Sequence, residues 1–199
     1  MVLAIVSVII SYLLGSISFS FLAGKWLKGI DIRKHGSGNA GATNTLRVLG
    51  KGPAIAVLLL DALKGVLAVW VGMWLVEGNV WVAVACGLAA IIGHNWPVYF
   101  GFRGGKGIAT TVGVMATLAF LPLLIAGIIA ILTIAITRYV SLGSLLLTSL
   151  LPIIIILMDK PMPLLWASLV LAVFAFVRHR TNIVKLVQGK ENKLGAKKQ

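Results

Sequence analysis

Three polar segments, set between long apolar runs, hold the side chains of this chain that could do chemistry. The first, residues 36–47, contains Gly36, Ser37, Gly38, Asn39, Thr43, Asn44 and Arg47. The second, residues 93–107, contains His94, Arg103, Gly104, Gly105 and Lys106. The third is split: residues 138–144, ending on Ser144, precede one apolar run, and residues 178–182, with His179 and Asn182, follow the last. Small residues let backbone N–H groups converge on phosphate oxygens, and a nearby Lys or Arg supplies the countercharge. One such segment is more often an ordinary Gly-rich turn. Three of them, each with basic and amide or hydroxyl side chains, point to a phosphate-bearing ligand.

Other chemistries fit less well. Gly36, Gly38 and Gly41 match G-x-G-x-x-G, and Asp61 stands twenty residues beyond. No βαβ unit surrounds them and Asp61 lies within an apolar helix, so the dinucleotide fingerprint fails. The run ending at Gly105-Lys106-Gly107 lacks the Ser or Thr that a Walker loop places after its lysine for magnesium. The five acidic residues are scattered, with only Asp61 inside a span, so no metal and no other cofactor is expected. His94 and His179 have the chemistry of an acid or base, but no acid stands near either in sequence. A lone histidine near an interface is more often a hydrogen-bonded structural residue, and His35 reads as solvated. Asp61 and Lys64, three residues apart on one helix face, read as a paired structural charge, although intramembrane charges are functional candidates by default.

Membrane helices must position these segments. Hydrophobic residues make up 59% of the chain and charged residues 12%, against about 25% charged in a soluble domain. That composition excludes a soluble globular fold, a disordered chain and a disulfide scaffold. Cys86, the one cysteine, lies in an apolar run. A crossing takes about 20 apolar residues. The expectation is an all-α integral membrane protein, a single polytopic domain of about seven transmembrane helices near 2–23, 53–76, 80–99, 108–121, 123–137, 139–157 and 163–177. Residues 108–137 decide the count. Read as a tight hairpin broken near Leu121-Pro122, they put the N-terminus outside, the C-terminus in the cytoplasm, and nearly every Lys and Arg on the cytoplasmic side. Read as one span, they move Arg138 and the basic residues from Arg178 onward outside, against the positive-inside rule. All three polar segments then share the cytoplasmic face, and residues 185–199 form a basic tail expected to be mobile beyond Lys190. The formal net charge of +13 would suggest nucleic acid in a soluble protein. Here it faces anionic lipid or an anionic substrate, and no nucleic-acid partner is expected.

Together, in this order and spacing, the segments resemble the three motifs of the bacterial acyl-phosphate:glycerol-3-phosphate acyltransferase family, PlsY, over nearly the whole chain. Asp61-Ala-Leu-Lys-Gly65 and Gly189-Lys-Glu191 fit the same pattern, and Arg103 stands where the family often has Lys. The resemblance implies a bacterial cytoplasmic (inner) membrane enzyme, its site on the cytoplasmic side. It would transfer a fatty acyl group from long-chain acyl phosphate to the 1-hydroxyl of glycerol 3-phosphate, giving lysophosphatidic acid and phosphate. Membrane lipid and a soluble enzyme producing acyl phosphate are the implied partners. By the same resemblance Lys106 and Arg47 bind and neutralise phosphate. Arg103 with Gly104 and Gly105 lies in the same phosphate-binding loop, and Ser37, Gly38, Asn39, and Thr43 or Asn44 supply hydrogen bonds. Ser144 and Asn182 position acyl phosphate or the attacking hydroxyl. His179 serves as a polarising donor before it serves as a base. An organic-phosphate transporter also needs a basic site within the membrane, but its usual repeated halves are not found. An acyl-CoA-dependent enzyme would need a place for a nucleotide, and no segment clearly offers one.

Overall fold

The apolar runs are helical throughout the computed structural model, which describes residues 1–195, so the last four residues of the basic tail lie outside it. Ten α-helices are found there: α1 (Val2–Gly15), α2 (Phe19–Lys28), α3 (Ala42–Leu49), α4 (Lys51–Leu75), α5 (Val80–Asn95), α6 (Ile108–Leu118), α7 (Phe120–Thr137), α8 (Val140–Leu157), α9 (Met162–Arg178) and α10 (Arg180–Val187). No strand occurs among the described residues. Among the described residues five stretches are long and apolar enough to cross a bilayer: Val2–Lys28, Lys51–Leu75, Val80–Phe100, Phe120–Thr137 and Val140–Leu157. A sixth arises when α9 and α10, bent by 65°, are taken together. The 11 residues of α6 reach only about 16 Å at 1.5 Å per residue.

Two breaks differ from the sequence-based boundaries. The first apolar run is interrupted at residues 16–18, where the Ser18 hydroxyl caps α2 by accepting the Phe21 N–H. A broken helix at membrane depth leaves a carbonyl to satisfy, and Lys64 Nζ donates to the Ile17 carbonyl at 2.7 Å. The second break falls at Ala119, three residues before Pro122. Pro122 sits in the first turn of α7, where an N–H has no intrahelical partner to lose.

The chain forms two compact units, Met1–Leu118 and the remainder from Ala119. In the first, α1 packs on α5 and α4, and α4 also packs on α5 and α6. The α4–α6 crossing is close because Gly113 meets the Ala62 carbonyl and Gly65 meets the Thr110 carbonyl, with no room for a Cβ at either. Small residues at such crossings are how membrane helices gain packing energy without a hydrophobic driving force between them. In the second unit α7 packs on α8 and α8 on α9, with α10 against both α8 and α9. Ile128, Ile131 and Ile136 of α7 and Leu58, Leu59 and Trp74 of α4 are exposed, as side chains facing lipid would be.

Candidate active site

In the first unit two Gly-rich loops are tied together. Arg33, in a single 3-10 turn at Ile32–Lys34, makes a bidentate pair with Asp31, Nε to Oδ1 at 3.0 Å and Nη2 to Oδ2 at 2.9 Å. Its Nη1 donates to the Phe100 carbonyl at 2.7 Å and the Arg103 carbonyl at 3.3 Å, and its guanidinium lies 4.8 Å from the centre of the Phe21 ring. The Arg33 hydrogen bonds hold the Asp31 carboxyl below the usual carboxylate range, and Asp31 raises the Arg33 pKa in return. The planar fork is what lets one side chain serve a carboxylate and two carbonyls at once.

Asn44 shapes the first loop. It is buried on α3, its Oδ1 accepts the Ser37 N–H at 2.7 Å, and its Nδ2 donates to the Ile32 and His35 carbonyls at 3.1 and 3.0 Å. With both amide hydrogens engaged inside the loop, Asn44 presents Ser37, Gly38 and Asn39 rather than offering donors of its own. Ser37, Gly38 and Arg47 are exposed, and Asn39 and Thr43 half-buried.

The second loop folds back on the end of α5. The Gly104 N–H donates to the Asn95 carbonyl at 3.2 Å and the Gly105 N–H to the His94 carbonyl at 3.1 Å. Gly105 is where the loops touch, since a Cβ there would strike both the Ala40 carbonyl and His94 Nε2. Arg103 is exposed and Lys106 half-buried beside it.

The second unit joins the two halves of the third segment. Glu191 Oε1 accepts from Ser141 Oγ at 3.0 Å and from Asn182 Nδ2 at 2.6 Å. Leu194 donates its N–H to the Arg138 carbonyl, and its carbonyl accepts from the Arg138 guanidinium. The tail beyond Lys190, expected to be mobile, is thus pinned as far as Leu194. Ser144 is buried and its hydroxyl donates to the Val140 carbonyl at 2.9 Å, which leaves it an acceptor toward a ligand. His179 is 3% exposed, with Nδ1 2.8 Å from the Ala175 carbonyl. A carbonyl only accepts, so Nδ1 carries the proton.

Sequence spacing missed three groups. Arg33 stands outside the Gly-rich stretches. Glu191 is noticed only through the family pattern. No acid was seen near His94, yet its Nδ1 lies 3.5 Å from Asp61 Oδ1, thirty-three residues away in sequence. The Asp61–Lys64 pair is formed as expected, at 2.8 Å with both side chains 1% exposed. Among the described residues no group of three or more His, Cys, Asp or Glu could hold a metal.

Comparison with known proteins bears on what these loops serve. A family model described as glycerol-3-phosphate acyltransferase matches residues 5–189. The glycerol-3-phosphate acyltransferase of Halalkalibacterium halodurans is 56% identical over 197 residues, covering 96% of each chain. That of Shouchella clausii is 57% identical over 198 residues, covering 97% of each. A crystal structure of PlsY, an integral membrane glycerol 3-phosphate acyltransferase, in its glycerol 3-phosphate form is 38% identical with a TM-score of 0.91, covering 96% of each chain. The lysophosphatidic acid form has a TM-score of 0.88 at the same identity, covering 96% of this chain and 95% of that one.

Proposed function

The chain belongs to the glycerol-3-phosphate acyltransferase family, and on that premise we propose that it moves a fatty acyl group from acyl phosphate to the 1-hydroxyl of glycerol 3-phosphate. The hydroxyl oxygen bonds to the acyl carbon, the acyl–phosphate bond breaks, and the hydroxyl proton passes to the departing phosphate. The products are lysophosphatidic acid and inorganic phosphate. The observation that carries the reading is the joining of two Gly-rich loops through Arg33 and the Ala40–Gly105 contact, with Lys106 next to Gly105 in the second loop and Arg47 on α3, the helix that follows the first.

Each residue has a role in this reaction. Lys106 and Arg47 neutralise phosphate, while Ser37 Oγ, Asn39, Thr43 and the backbone N–H of Arg103 donate to its oxygens. Gly38, Gly104 and Gly105, whose N–H groups bond the His35, Asn95 and His94 carbonyls, shape the two loops instead of donating to the ligand. Asn44 acts one step back, by holding Ser37. Ser144 accepts from a substrate hydroxyl, and Asn182, oriented by Glu191, places acyl phosphate or the attacking hydroxyl. His179 polarises through Nε2. Acyl phosphate is a mixed anhydride with a good leaving group, so its own phosphate suffices as proton acceptor. The basic loops face the cytoplasm, where a soluble enzyme making acyl phosphate would deliver the donor to the membrane.

The test is purified protein in lipid nanodiscs with glycerol 3-phosphate and either palmitoyl phosphate or palmitoyl-CoA. Lysophosphatidic acid with stoichiometric phosphate release from the first donor, and none from the second, is expected. Product from palmitoyl-CoA alone would overturn the choice of donor. No acyl product, with glycerol 3-phosphate uptake into proteoliposomes, would make the protein a transporter.

A further inference from the structure

A buried polar chain runs from the first helix break to the loop that carries Lys106. Lys64 Nζ, which donates to the Ile17 carbonyl at 2.7 Å, lies 5.7 Å from the centre of the Phe19 ring. It pairs with Asp61 Oδ1 at 2.8 Å, and the same oxygen lies 3.5 Å from His94 Nδ1. His94, 6% exposed, turns its opposite edge to Gly105, where a Cβ would strike Nε2. Its carbonyl accepts the Gly105 N–H. The next residue is Lys106. All of these groups belong to the first unit.

A buried ion pair is a weak source of stability, since apolar side chains of similar volume often do as well. The charges of Asp61 and Lys64 already balance each other at 2.8 Å. The placement of His94 is what an isolated structural pair leaves unexplained, for it puts an imidazole between the carboxylate and a glycine whose missing side chain makes room for it. We propose that Asp61, Lys64 and His94 are positioning residues that hold residues 104–107 against the end of α5, and through that backbone fix where the Lys106 ammonium stands. The role rests on Lys106 acting in the proposed acyl transfer. Displacement of a reacting or charge-stabilising group by about 1 Å costs rate steeply, so the chain is read out in turnover rather than in folding alone.

Two variants test this in nanodiscs. His94→Gln keeps an amide facing Gly105 and loses the edge facing Asp61. The double variant Asp61→Asn/Lys64→Met removes both charges, so that neither is left buried alone. Hydrogen–deuterium exchange should quicken in peptides covering residues 102–108 in both variants and stay unchanged in α7 and α8, with residues 16–18 quickening only in the double variant, which loses the Lys64 bond to the Ile17 carbonyl. With glycerol 3-phosphate and palmitoyl phosphate, kcat/KM should fall about tenfold or more. The same changes made in Lys106→Met should cost less than about twofold further, because coupled residues do not add. Unchanged exchange at 102–108 in a folded variant, or a full additional loss in the Lys106→Met background, would overturn the proposal. So would failure of both variants to fold, which would assign the chain to stability alone. If the wild-type protein forms no acyl product, the acyl-transfer reading falls by itself, and exchange at 102–108 still decides whether the network holds the loop.

Discussion

His179 offers the sharpest test because its two ring nitrogens can be separated. Nδ1 donates to the Ala175 carbonyl at 2.8 Å, a hydrogen bond contributing about 1 kcal/mol while the ring is neutral. Nε2 is the nitrogen assigned to the substrate. The amide nitrogen of asparagine reaches roughly where Nδ1 stands, and that of glutamine roughly where Nε2 stands. His179→Asn should therefore keep its melting temperature and lose the function of Nε2. A charge-assisted hydrogen bond contributes about 1.5–3 kcal/mol, so its loss lowers kcat/KM roughly 10- to 150-fold. His179→Gln should melt about 2–4 °C lower, for a loss of about 1 kcal/mol in a chain of this size, yet turn over faster than the Asn variant.

The pH dependence has a definite sign. With its Nδ1 hydrogen committed to Ala175, the ring donates from Nε2 only as the imidazolium. The ratio of wild-type to Gln-variant kcat/KM, which cancels ionisation of the substrate phosphates, should fall as pH rises. A general base requires the opposite, a ratio falling as pH drops. The assay is phosphate release from palmitoyl phosphate over roughly pH 5 to 8, the span in which a histidine can change charge. An Asn variant with wild-type turnover, or a ratio that rises with pH, would refute the donor role.

Lys106→Met should fold with a near-normal melting temperature and lose about two orders of magnitude or more of kcat/KM; Arg47→Met should behave alike. Lys28→Met, which forfeits only an exposed bond to the Val48 carbonyl, should lose little in the same assay. Asn44→Ala removes three hydrogen bonds of about 1 kcal/mol each, and should raise KM for glycerol 3-phosphate at least about tenfold; an unchanged KM in a folded variant would remove its scaffold role. The Asp31 carboxyl is held low by Arg33, so their pair contributes stability above the unfolded carboxyl value of about 3.9 and loses it as pH falls through the lower folded value. The melting difference between wild type and Asp31→Asn should accordingly stay level above about pH 5 and close below about 3.9. Cysteines at Asn79 and Lys160 should react with an impermeant thiol reagent from outside intact cells, whereas those at Lys51 and Lys185 should not.

Helix type was legible from the apolar runs because lipid forces backbone satisfaction within each segment. The exact breaks were less so. Pro122 drew the expected boundary toward itself, while the chain turns at Ala119, a residue with no local signal. The break at residues 16–18 was hidden because the group that satisfies its carbonyl, Lys64, lies on α4. The same limit governs the site. The Gly-rich segments are visible because each is local. Arg33, Glu191 and the approach of Asp61 to His94 arise only when distant elements pack. Asn44 was legible as a polar residue in the right loop, but its direction, inward to Ser37 and two carbonyls, is a property of the folded backbone.

The disposition of the carboxylates narrows where the hydroxyl proton goes. Of the five acidic residues, Asp31 is held by Arg33 and Asp61 by Lys64. Glu77 and Asp159 lie outside the helices, where both adopt positive φ. Glu191 uses one oxygen to hold Ser141 and Asn182, so recruiting it as a base would trade away the orientation of Asn182. Two acceptors then fit the proposed reaction best, His179 Nε2 and the phosphate of the donor itself. They make opposite demands on the imidazole, because Nε2 accepts a proton only from the neutral ring and donates only from the charged one. If the rate ratio falls as pH rises, His179 is charged in the working enzyme, and the leaving phosphate takes the proton.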